Sequence, residues 1–89
     1  MSERQDAEAA RLREIEARLT LLQRANRERA LGAPSAQAET LREVEALLAE
    51  SKRLARDGHT AAFARIAIQA GWLIGRLDRG ARTEPGSRP

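Results

Sequence analysis

The chain has no cysteine and no tyrosine, and Phe63 and Trp72 are its only aromatic residues among 89. Without cysteine there is neither a disulfide nor a thiolate metal site, which fits a reducing, cytoplasmic setting. Without aromatics, core volume must come from Leu, Ile, Val and Ala. A core of that kind is thin, and small scaffolds often gain stability by associating. His59 is the only histidine. With no second soft ligand to converge on, it is expected to be a solvated turn residue.

Other absences narrow the function. No glycine-rich phosphate loop is present, and the carboxylates are spread along polar faces rather than gathered. An active site needs groups that converge, so no catalytic residue, metal or cofactor is expected. The pieces Leu12-Arg13-Glu14-Ile15 and Leu21-Leu22-Gln23-Arg24 loosely resemble the Arg-rich first helix of chorismate mutase. They lie too close together, and the Lys and Glu such a site needs do not fall in register. No apolar leader follows Met1 to Asp6. The most apolar stretch, Ala61 to Leu77, is broken by Arg65, Gln69 and Arg76. Because an Arg at mid-bilayer costs about 2.5–3.5 kcal/mol, a buried helix is expected there rather than a membrane span.

The isoelectric point of 10.9 suggests nucleic acid, but the net charge is only +3. Arginine, which does not deprotonate in this range, supplies every basic residue except Lys52. Acidic and basic residues interleave through the first two thirds, and the excess positive charge sits in the last. Interleaved charge reads as solvated helix faces rather than a phosphate track.

The pattern is all-α, with helices over about 3–31, 36–57 and 61–79 forming one domain over residues 1–80. Ser2 and Gln5 have capping-box spacing, and Gly32 with Pro34 ends the first helix. Ser35 and Thr60 stand as N-caps of the second and third helices. Gly58 and Gly80 stand as the residues that close them. Residues 81–89 read as a disordered tail. With only Gly58 and His59 between them, helices two and three form an antiparallel αα-hairpin.

In the first helix, Leu12, Ile15, Leu19 and Leu22 fall at 3-4-3 spacing, a narrow coiled-coil-like seam. Leu21 and Ala25 widen it. Asn26 continues the series, either as a buried register-setting residue or exposed beyond the packed region. The second helix carries a broad stripe that includes Leu41, Val44, Leu47, Leu48 and Leu54. Its polar face includes Glu39, Arg42, Glu43, Glu50, Arg53 and Asp57, with Glu39–Arg42 and Arg53–Asp57 at pairing distance. The third helix carries the seam Phe63, Ile66, Ala70, Leu73 and Leu77, with Ile68, Trp72 and Ile74 off it. Gly71 and Gly75 would admit another backbone closely. Leu41, Val44, Leu48, Phe63, Ile66, Leu73 and Leu77 are the expected core.

Two apolar surfaces are therefore left over: the first-helix seam and the Ile68–Trp72 pair. Either they cover each other, or they bind a partner. Leu12, Ile15, Leu19, Leu22, Ile68 and Trp72 are the expected partner-binding residues. A second possibility is DNA, since Ile66 to Leu77 resembles a helix-turn-helix, with Arg76 and Arg79 placed to meet phosphates. Leu73 and Ile74, where that motif presents polar groups, argue against it, and nucleic acid is not the expected partner.

The run Leu41, Leu48-Ala49-Glu50, Arg53, Leu54-Ala55 and Gly58, followed by Phe63, Ala70 and Leu77, resembles the small E-type co-chaperones of the type III secretion needle subunit. The resemblance covers residues 41–77. It implies a cytoplasmic helical hairpin that pairs with a tetratricopeptide-type chaperone to keep the needle subunit unpolymerised. The expectation is thus a non-enzymatic adaptor or co-chaperone that binds a larger helical protein, or else associates with itself as a dimer.

Overall fold

A computed structural model of the protein describes residues 3–28 and 34–81. These form three helices: α1 (Glu3–Arg27), α2 (Pro34–Leu54) and α3 (Thr60–Ala81). A short 3-10 turn, Ala55–Asp57, lies between α2 and α3. No strand occurs among the described residues. The class is all-α, as the periodicity predicts.

The ends differ from expectation in instructive ways. Helix α2 begins at Pro34, so the proline opens the helix and Ser35 lies inside its first turn. Proline suits that place because its missing N–H would have no helical partner there. Helix α3 begins at Thr60, and the Phe63 N–H bonds to the His59 carbonyl at 3.0 Å. His59, not Thr60, therefore occupies the capping position. At its far end α3 runs through Gly80 to Ala81, past the expected stop. Glycine ends a helix only where the chain turns left-handed, and among the described residues the only positive-φ glycine is Gly58, at 130°. The Gly58 N–H returns to the Ala55 carbonyl at 3.2 Å, closing the turn as expected. Ser2, Gly32 and residues 82–89 lie outside the described residues, as do the last residues expected of the first helix.

The side-chain ladders give the directions of the helices. Arg11 pairs with Glu50 and Arg18 with Glu43, so α1 and α2 run antiparallel. Glu8 meets His59, Glu16 meets Arg65, and Gln69 donates to Thr20, so α1 and α3 run parallel. Helices α2 and α3 form the antiparallel hairpin and pack most closely, and α1 lies against both.

The core is the meeting line of three seams: Leu12, Ile15, Leu19 and Leu22 from α1, Val44 from α2, and Ile66, Ala70, Leu73 and Leu77 from α3. Leu41, Leu47, Leu48, Leu54, Ala62 and Ile74 pack around it, half-buried. Phe63, expected in the core, is only partly buried. Ser51 is fully buried, its hydroxyl donating to the Leu48 carbonyl at 2.8 Å. That bond within its own helix removes the cost of sealing a polar group away from water.

Candidate functional site on the outer face of α3

The two surfaces expected to bind a partner separate here. Leu12, Ile15, Leu19 and Leu22 are at most 6% exposed and belong to the core. Sequence alone left the α1 seam without a mate. The mate is the chain's own hairpin, so these four residues are corrected from partner-binding to core. Burying a leucine or isoleucine side chain stabilises by about 1.5–3 kcal/mol, reason enough for α1 to fold back.

Folding back does not cover the rest of α3. Ile68 remains 74% exposed and Trp72 42% exposed, one turn apart on one face. The α1 seam meets the Ile66–Leu73–Leu77 side of α3, whereas Ile68 stands about 200° from Ile66, at about 100° per residue. The surplus seam thus answers the inner face of α3, and the outer face is left open. Leu21, expected to widen the α1 seam, is instead 55% exposed. It stands two residues from Leu19 and so points away from the core.

Arg76, one turn beyond Trp72, sits over the indole with its guanidinium carbon 4.1 Å from the ring centroid. A cation on an exposed aromatic face contributes about 0.5–1 kcal/mol and holds the ring in one orientation. Gly71 and Gly75 lie on the same outer side, and a Cβ built at either would meet nothing within 4 Å. Neither glycine is needed for packing inside the chain.

The flanks of α1 are tied down by charge. Arg11 binds Glu50 through two hydrogen bonds, of 2.7 and 2.9 Å, and Arg18 binds Glu43 through two, of 2.7 and 3.1 Å. Arg65 holds Glu16 in the same way at 2.9 and 3.3 Å. The hydrogen bonds from Arg18 and Arg11 hold the Glu43 and Glu50 carboxyls below the usual carboxylate range, against a smaller opposing effect of burial. Sequence reading placed Glu43 and Glu50 on a solvated face. They instead border the α1–α2 contact, a fact fixed by a register between helices that no local spacing contains.

His59 also departs from expectation. It is not a free turn residue: its Nε2 lies 3.3 Å from Glu8 Oε1, with the two side chains 21% and 14% exposed. The pair fastens the second turn of α1 to the start of α3. This accounts for a helix that begins at Glu3 although its first residues are exposed.

Residues 60–79 form one unbroken helix, so the turn that the alternative helix-turn-helix reading needs between two helices is absent there. Gly71, at the position where the motif turns, lies in mid-helix. Among the described residues no three His, Cys, Asp or Glu side chains gather at a metal-like site, and no enclosed pocket is found. No described helix is long and apolar enough to cross a membrane. No protein-family model, curated protein or solved structure matches this chain.

Proposed function

We propose that this chain is a protein-interaction module, an adaptor or co-chaperone, that offers the outer face of α3 to a helix of a larger protein. The observation that carries this reading is the exposed pair Ile68 and Trp72, left open after α1 has been folded into the core. Tryptophan is over-represented among the residues that dominate binding energy. An amphipathic helix laid along such a face reads it at one-turn intervals.

The resemblance of residues 41–77 to the type III secretion co-chaperones gives one specific form of this proposal. In that form, the larger partner is a tetratricopeptide-type chaperone and the protected client is a needle subunit. The α2–α3 hairpin is the part that carries the resemblance, and it also bears the open face. Cytoplasmic residence belongs to the same proposal.

The test is affinity purification of the tagged chain from its native cells, wild type beside Ile68→Glu, with identification by mass spectrometry. The proposal expects a helical protein that co-purifies with wild type and is lost with Ile68→Glu, while circular dichroism shows both chains equally helical. Retention of every partner by the Ile68→Glu chain refutes the reading.

A further inference from the structure

The outer face of α3 carries a second seam, opposite the one that faces the core. Ala61, Ala64, Ile68, Gly71 and Gly75 repeat at 3-4-3-4 spacing, half a turn from Ile66, Leu73 and Leu77. The first four are exposed and Gly75 is partly so. Such spacing is the seam of a helix–helix contact, and here it is built from small residues around one isoleucine.

The glycines make the seam more than a leftover. Glycine in a helix interior is less favourable than alanine, and two stand in one helix with no neighbour that demands them. A backbone approaching from outside the chain supplies the missing reason.

Charge then decides what kind of backbone. Between Thr60 and Leu77 α3 has no carboxylate. The row beside the seam, at seven-residue intervals, is Arg65, Trp72 and Arg79, and Arg76 stands behind it. Arg65 is paired with Glu16 and Arg76 is stacked on Trp72, and all three arginines of this side, Arg65, Arg76 and Arg79, are exposed.

The same face of a second copy does not complement this row. In an antiparallel pair the row meets itself, setting Arg65 of one copy near Arg79 of the other. In a parallel pair it meets Thr60, Ala67 and Ile74, which offer no carboxylate, and Asp78 meets its own counterpart at the seam. Flanking positions set partner choice in helix pairs, and like charges there are unfavourable.

We infer that the outer face of α3 takes a helix of a different protein, one whose contact seam is small and apolar and whose flank toward Arg76 and Arg79 carries carboxylates. This rests on the proposed function and adds the chemistry of the partner. The short side chains at Ala61, Ala64, Gly71 and Gly75 place that helix at the close end of the 8–10 Å range of helix separations. Trp72 and its stacked Arg76 form the rim on one side.

The experiment is photo-crosslinking in the native cell, with p-benzoylphenylalanine replacing Ile68 in the full chain, and sequencing of the crosslinked peptide. The expected adduct is one peptide of another protein, with Ala, Gly or Leu at 3-4 spacing and Glu or Asp on one flank. Replacing those acids with Lys is expected to lower its affinity for the purified chain at least tenfold, and Arg79→Glu in this chain is expected to restore much of the loss. Gly71→Leu is expected to weaken the contact at least tenfold while leaving the helicity of the chain unchanged.

An adduct to a second copy, to nucleic acid or to a helix without acidic residues overturns this inference but leaves the face a docking site. Indifference of the affinity to Gly71→Leu overturns the close approach. The absence of any adduct, with the substituted chain folded, removes the docking face itself and the proposed function with it.

Discussion

The guanidinium of Arg18 and the carboxylate of Glu43 meet edge to edge, Nε to Oε2 at 2.7 Å and Nη2 to Oε1 at 3.1 Å, across the contact between α1 and α2. Two turns earlier in α1, Arg11 meets Glu50 in the same geometry. The matching step in both helices locks one antiparallel register. Exposed pairs contribute only about 0.2–1 kcal/mol each, so they select the register more than they hold the fold. Arg18→Glu is expected to lower stability by about 0.5–1 kcal/mol, and adding Glu43→Arg is expected to recover most of it. Urea unfolding of the two single variants and the double variant checks this.

Acid should loosen the same seam. A carboxyl whose pKa is lowered on folding contributes stability that is complete above its unfolded value and lost as pH falls through its folded value. Glu43 and Glu50 are both lowered, chiefly by hydrogen bonds from Arg18 and Arg11. The contribution of these two carboxyls is therefore expected to be level from neutral pH to about 4.5 and to fall below it. The double variant Glu43→Gln, Glu50→Gln should start less stable at pH 7 and decline less steeply below pH 4.5. Urea midpoints across that range give the comparison.

The core and the surface of α1 should respond in opposite ways. Ile15 is fully buried, and Ile15→Ala is expected to cost about 2–5 kcal/mol, enough to unfold much of so small a domain. Leu21 is 55% exposed, and Leu21→Ala should change stability by no more than about 0.5 kcal/mol. Thermal melts of the two chains separate a helix docked through its seam from one that stands free.

Glycine substitutions distinguish a glycine the fold needs from one it does not. Gly58 has φ 130°, where an L side chain is strained, so Gly58→Ala should destabilise by about 1 kcal/mol or more. Gly71→Ala and Gly75→Ala meet open space and should each stabilise the isolated chain by about 0.5–1 kcal/mol. Melting temperatures that rise for these two and fall for Gly58→Ala are the expected outcome.

What the sequence showed, and what it hid, follows a physical division. Helix periodicity is local, so the seams of α1 and α3, the Gly58 turn and the hairpin were legible. Pairings between helices are not local: no spacing within α1 announces that Arg18 reaches Glu43 or that Glu8 reaches His59. The same limit explains the binding surface. Sequence could count two surplus apolar faces but could not tell that the α1 seam and the inner face of α3 meet each other. The outer face of α3 also carries a local signal. Ala61 and Ala64 extend the series of Ile68, Gly71 and Gly75, but alanine is so common in helices that it looks like filler.

Helix α1 fills the core and leaves the outer face of α3 open, and Trp72 reports on that face as the chain's only tryptophan. Acrylamide quenching of Trp72 fluorescence in the purified chain, followed on dilution, is the direct measurement. Efficient quenching and the red-shifted emission of a hydrated indole, both independent of concentration, are predicted. A blue-shifted, protected Trp72 in the dilute isolated chain would mean that the chain covers this face itself.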